Sequence, residues 1–129
     1  MQKKLMILVK RGAFAKQVAV GLVSAGHSIE CAYSGDEALE RLQRSLDKRR
    51  GACDAMVVTE EAVAEAGFET NSIELFARRA QEILGRPMPV IAMFSWVNGV
   101  SEYGPVTIMP GKADLLREVL LNVFSEKPS

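Results

Sequence analysis

The sequence is poor in the residues that build chemical sites: its 129 positions hold one histidine, one tryptophan, two tyrosines and two cysteines. Zinc-type centres need Cys and His clustered at short spacings, and His27 has no such partner; it reads as a turn residue ahead of a strand. No serine stands in a nucleophile-elbow motif and no glycine-rich loop cradles a phosphate. Charge of either sign is not in excess. Sixteen basic and sixteen acidic side chains give a formal charge of zero, which removes any global electrostatic case for nucleic acid or an anionic membrane. Long hydrophobic runs are missing too. Met1-Gln2-Lys3-Lys4 leads into only five apolar residues, too few for a secretory signal, and nothing approaches the ~20 that span a bilayer. A cytoplasmic protein without cofactor or metal is expected.

What is present is the material for a core. With 48% apolar residues, a chain of this length folds as one domain without disulfides or metal. That domain is expected over 1–125, with 126–129 a disordered tail. Asp54-Ala55-Met56-Val57-Val58-Thr59 organises it: a short β-branched apolar run closing on a polar residue reads as a buried central strand whose C-terminal end opens into a cleft, with Thr59 at the mouth. Leu5 to Val9 is a similar run that stops at Lys10-Arg11-Gly12. A helix follows, with Phe14, Val18 and Leu22 inward and Ala19 and Val23 beside them, until Gly26. Ser28 to Tyr33 is a weaker, more polar strand suited to a sheet edge. Ser34-Gly35-Asp36-Glu37 has capping-box spacing. The helix it opens carries Leu39, Leu42 and Leu46 on one face, and Lys48-Arg49-Arg50 complements its dipole in the last turn.

Beyond Thr59 the pattern loosens. Glu60 to Thr70 spans about eleven residues where strand-to-helix loops usually take two to six, so a mobile or functional segment is expected. Asn71-Ser72 cap the next helix, which shows Ile73, Phe76, Ala80, Ile83 and Leu84 on one face. Pro89 to Phe94 and Val106 to Met109 are further strands, and Leu115, Leu116, Val119, Leu120 and Val123 form the inward face of a last helix. Ser95 to Pro105 holds Gly99, Gly104 and Pro105, too broken for more than a helical turn, so one crossover helix is shortened or lost. Strands alternating with amphipathic helices make an α/β doubly wound parallel sheet.

The ordered succession of a short apolar strand, Gly26-His27, Tyr33-Ser34-Gly35-Asp36-Glu37-Ala38-Leu39, Asp54 ahead of the third strand, Pro89-Val90-Ile91 and the strand-ending Pro110 resembles the receiver domain of bacterial two-component response regulators. The resemblance covers nearly the whole chain and implies a flavodoxin-like sheet of five parallel strands ordered 2-1-3-4-5. In that order a whole strand separates Cys31 from Cys53. Two strand spacings put their Cα atoms about 10 Å apart, beyond the ~7 Å limit for a bridge, so both read as reduced structural thiols.

A working receiver, as the resemblance implies, holds Mg²⁺ with two acids after its first strand and takes phosphate on an aspartate ending the third. It signals through a Thr or Ser ending the fourth strand and a Lys ending the fifth. Here those positions carry Lys10 and Arg11, then Thr59, then Phe94 with Ser95 next door, then Met109 before Pro110. Every chemical position is changed. Two cations repel Mg²⁺, which takes oxygen ligands at about 2.1 Å, and without the metal nothing offsets the charge of phosphoryl transfer. Acyl-phosphate chemistry also needs a carboxylate, which Thr59 does not have. The family's Lys-Pro pair is usually cis, so a cis bond is expected at Met109-Pro110.

Two uses of the strand-end cleft follow. Glu60 and Glu61 lie within reach of Lys10 and Arg11, forming an internal ion pair where the metal would be. Alternatively, Lys10 and Arg11 receive a small anion or nucleotide phosphate beside Thr59 and Ser95. Trp96, Val97, Val100 and Tyr103 form an apolar-aromatic cluster in the shortened connection, either capping the core or exposed as an interaction patch. The function expected is that of a degenerate receiver: a phosphorylation-independent protein–protein interaction module in two-component-type signalling, not an enzyme. Its partner would be a signalling protein or a second copy, with no Mg²⁺, nucleic acid or membrane involved. The alternative is an anion sensor.

Overall fold

Apolar runs of five or so residues cannot be buried singly, and in the computed structural model they stack side by side as one sheet. The structure describes residues 4–8, 13–47, 53–59, 70–85, 88–95 and 97–125. In chain order they form β1 (Lys4–Leu8), α1 (Ala13–Ser24), β2 (Ser28–Ala32), α2 (Gly35–Asp47), β3 (Ala55–Thr59), α3 (Thr70–Leu84), β4 (Val90–Phe94), β5 (Ser101–Tyr103), β6 (Val106–Pro110) and α4 (Ala113–Ser125). The strands lie in the order β2-β1-β3-β4-β6-β5. Five of them are parallel and follow the expected succession. The sixth, β5, is an addition that pairs antiparallel with β6. Residues 60–69 and the tail 126–129 lie outside the described residues, as do the side chains of Phe14 and Leu46 and the basic run at 48–50.

Because side chains alternate across a strand, the sheet feeds two separate cores. Met6, Met56, Val58, Val90, Ala92, Phe94 and Val106 pack with α2 and α3. Leu5, Ile7, Ala55, Val57, Ile91, Met93 and Met109 pack with α1 and α4. Every residue of β3 and of β4 is buried, as central parallel strands require. The helix faces follow the apolar period: Val18 and Leu22 of α1, Ala38 and Leu42 of α2, Ile73, Phe76, Ala80 and Leu84 of α3, and Leu116, Val119 and Leu120 of α4 are buried. Val23 is the exception. At one residue past Leu22 it turns some 100° around the helix and stays exposed.

Local signals do their expected work. Gly26 adopts φ 93° and ends α1, its amide donating to the Val23 carbonyl at 3.0 Å and that of His27 to Leu22 at 3.1 Å, the two bonds of a Schellman stop. The Ser34 hydroxyl accepts from the Glu37 amide at 3.1 Å. The Glu37 carboxylate turns to Arg41, which also reaches Glu30 at 2.6 Å and so ties the edge strand β2 to α2. Asp54 latches β3 to the start of β1, accepting from the Lys4 amide at 2.8 Å while its own amide donates to the Lys4 carbonyl at 2.7 Å. α3 begins at Thr70, just ahead of the expected caps.

No helix forms in the described part of 95–105, in line with the lost crossover, and a hairpin stands there instead. Tyr103 pairs with Val106, which leaves Gly104-Pro105 as a two-residue turn. Gly104 has φ 58°, and proline cannot take positive φ, so the turn is of the II′ kind that hairpins favour. The expected cis bond at Met109-Pro110 is corrected: among the described residues no peptide bond is cis. Pro110 closes β6 opposite Phe94, and strand pairing up to that residue holds the backbone extended. Among the described residues no helix is long and apolar enough to cross a membrane.

Candidate functional site

In a doubly wound sheet, ligands meet the C-terminal strand ends, and register decides which residues stand there together. Thr59 lies opposite Met93 and Met93 opposite Met109. Alternation places these three on the α1/α4 side, with Met93 and Met109 in that core. The next row, Phe94 opposite Pro110, turns Phe94 into the other core. Thr59 and Met109 are therefore two strand spacings apart, about 10 Å, with a thioether between them.

The row is closed. Thr59 and Met109 are 0% exposed and Met93 1%, so Thr59 is not at the mouth of a cleft, as its polarity suggested, but sealed beneath the strand ends. Met93 stands beside it across β4, and the neighbouring Phe94 turns into the opposite core. The backbone after β4 is drawn in as well, the Phe94 carbonyl accepting from Gly111 at 3.2 Å and from Val97 at 3.4 Å. Ser95 is exposed beyond this row.

These residues do not fit Mg²⁺. The ion needs several oxygen ligands; this row offers one buried hydroxyl and two thioethers, and among the described residues no three His, Cys, Asp or Glu gather where they could hold a metal. Lys10, Arg11, Glu60 and Glu61 lie outside the described residues, and so does their expected ion pair.

The expected apolar-aromatic cluster divides. Val97 is half-buried against the α2/α3 core, whereas Val100 is exposed and faces a groove on the other side of the sheet edge. They face opposite sides of the sheet, which is why they do not form one patch. Trp96 and the Tyr103 side chain lie outside the described residues. The groove measures about 210 Å³ and runs between Val100, Glu102 and Thr107 of the hairpin region and Glu118, Val119 and Val123 of α4. Glu102 and Glu118 drew no attention in the sequence. The signal for the hairpin was there: Gly104-Pro105 between two short runs, Ser101-Glu102-Tyr103 and Val106-Thr107-Ile108.

The thiols and the histidine are structural. Both cysteines are free. The Cys53 thiol donates to the Ala55 carbonyl, and burial pushes its pKa up to about 11; burial raises that of Cys31 as well. His27 rests against Phe124, ring centroids 6.4 Å apart, with its Nδ1 buried and unpartnered. Burial lowers its pKa.

A parallel-dominated sheet with helices on both faces is shared with solved bacterial regulators. A candidate response regulator from Chloroflexus aurantiacus J-10-fl superposes over 98% of this chain and 100% of its own, with TM-score 0.68 at 16% identity. A response regulator from Thermotoga maritima does so over 98% and 100%, with TM-score 0.67 at 18% identity. The chain has the receiver fold. No protein-family model and no curated protein matches the sequence, so the likeness rests on the receiver architecture. In this chain the described part of the connection from β4 to β6 carries the short strand β5 and no helix.

Proposed function

We propose that the chain is a cytoplasmic, non-catalytic receiver-type module that works in two-component-type signalling by binding a protein partner, without phosphorylation. The observation that carries this reading is the row Thr59, Met93, Met109: the aspartate and lysine positions of a receiver hold a hydroxyl and a thioether, fully buried. A phosphoryl group there would have neither an acyl acceptor nor a cation to meet its charge. With those positions occupied by core side chains, the surface the strand ends support is held in one arrangement, which suits constitutive binding rather than switching. The exposed groove beside β5 supports an interaction role because it leaves apolar side chains of the hairpin region and of α4 open to a partner.

The test is intact-mass spectrometry after incubation with acetyl phosphate and Mg²⁺. No mass increase is expected. An added phosphate that hydroxylamine removes would identify an aspartyl phosphate and overturn the reading.

A further inference from the structure

We propose that the groove between β5 and α4 receives a partner segment carrying a lysine or arginine beside an apolar side chain. This rests on the interaction-module reading above and narrows it to one surface and one chemistry. Val119 is buried at the base, Leu115 and Val123 are half-buried on the helix side, and Val100 stands exposed on the hairpin side. One carboxylate comes from each wall, Glu102 from β5 and Glu118 from α4. Both are exposed, and neither has an ion-pair partner among the described residues. Several other surface acids are matched, Glu30 and Glu37 with Arg41, Glu40 with Arg44, and Glu74 with Arg78, while Asp36, Glu82 and Asp114, exposed and without an ion-pair partner among the described residues, lie outside the groove. No lysine or arginine lines the groove. It is an apolar trough with two unmatched negative charges, complementary to a long cationic side chain whose methylenes lie on valines and leucine while its head meets the carboxylates.

Size and symmetry choose among occupants. At about 210 Å³ the groove is below the roughly 300–1,000 Å³ of pockets that enclose small molecules, and suits side chains of a polypeptide. A second copy docked by the same face would set Glu102 and Glu118 against their own equivalents, since a two-fold interface presents one patch to itself. Like charges meeting across an interface are unfavourable. A basic–apolar segment of another protein has no such conflict.

The test is panning of a random-peptide phage library on the full chain, followed by titration of the enriched peptides. Enrichment of Lys or Arg next to Leu, Ile, Met or Phe is expected. Binding should weaken about fivefold in Glu102→Gln and in Glu118→Gln, the factor for an exposed charge pair of about 1 kcal/mol. It should weaken further with salt and be lost in Val100→Asp. Because all three side chains are exposed, their thermal midpoints should stay near the parent value. Chemical-shift changes on the unmutated chain should centre on Val100, Leu115 and Val119. Peptides without cations, binding indifferent to all three substitutions, shifts centred elsewhere, no enrichment above the bare support, or a dimer that Val100→Asp dissolves would each overturn the proposal. None of these bears on phosphate chemistry, so the groove can fail while the phosphorylation-independent reading stands, and the mass measurement decides that reading separately.

Discussion

Thr59 marks the largest chemical step between this chain and a phosphate-accepting receiver. A hydroxyl can be buried with a single hydrogen bond, whereas an ionised carboxylate at a fully enclosed position needs several donors or a cation. With Met93 and Met109 beside it in the row, Thr59→Asp should not recreate an acceptor. It is expected to destabilise the protein by about 3 kcal/mol, the scale of an uncompensated buried charge, read as a lower urea midpoint. A Thr59→Asp protein as stable as the parent would mean that the row opens to water. His27 carries a second consequence. Its folded pKa lies below the ordinary 6.5, so the unfolded chain takes up the proton first as pH falls. The stabilising contribution is complete above that value and is lost as pH drops through it toward the folded pKa. Urea midpoints should therefore fall from about pH 7 to pH 5.5, before carboxylates titrate. In His27→Phe, which keeps a ring against Phe124, the midpoint should stay flat over that window.

At the scale of elements, the β5–β6 hairpin is the novelty, and it hangs on one backbone conformation. Gly104 combines φ 58° with a close approach to α3, where an added Cβ would stand 3.1 Å from the Glu74 carboxylate. Gly104→Ala should cost about 1–2 kcal/mol for left-handed backbone at a residue with a Cβ. The loss should fall on β5 alone, because β6 keeps its parallel partner β4. Hydrogen exchange should show faster β5 amides with β1, β3 and β4 unchanged; uniform acceleration would mean that the hairpin is part of the cooperative core. The broken composition of 95–105 correctly argued against a helix. Three residues are too few for alternation to register as a strand pattern, so the cue for β5 was only the Gly104-Pro105 turn between two short runs.

For the whole molecule, the sheet is a wall between two cores that share no side chains. Ile73 lies in the α2/α3 layer and Ile91 in the α1/α4 layer. Ile→Val at each should cost about 0.5–1.5 kcal/mol, and the double variant should lose the sum to within roughly 0.5 kcal/mol, as separated sites do. Chemical denaturation of the parent, both single variants and the double variant checks this. A larger coupling would show that the sheet transmits strain between its faces.

Period and punctuation along the chain determined most of the architecture: apolar runs too short to be anything but buried strands, helix faces at 3.6-residue spacing, Gly26 and Ser34 as stop and start. Those are local properties, carried by residues that meet within a turn or a strand. Depth and adjacency were decided only by the tertiary structure. Thr59 is buried because of its place in a fully buried central strand, where Met93 meets it through register from a strand more than thirty residues away in sequence. Val97 and Val100, three residues apart, part company because they face opposite sides of the sheet. The groove exists because α4 and β5, which are separated along the chain by β6, leave a gap that no single segment encodes.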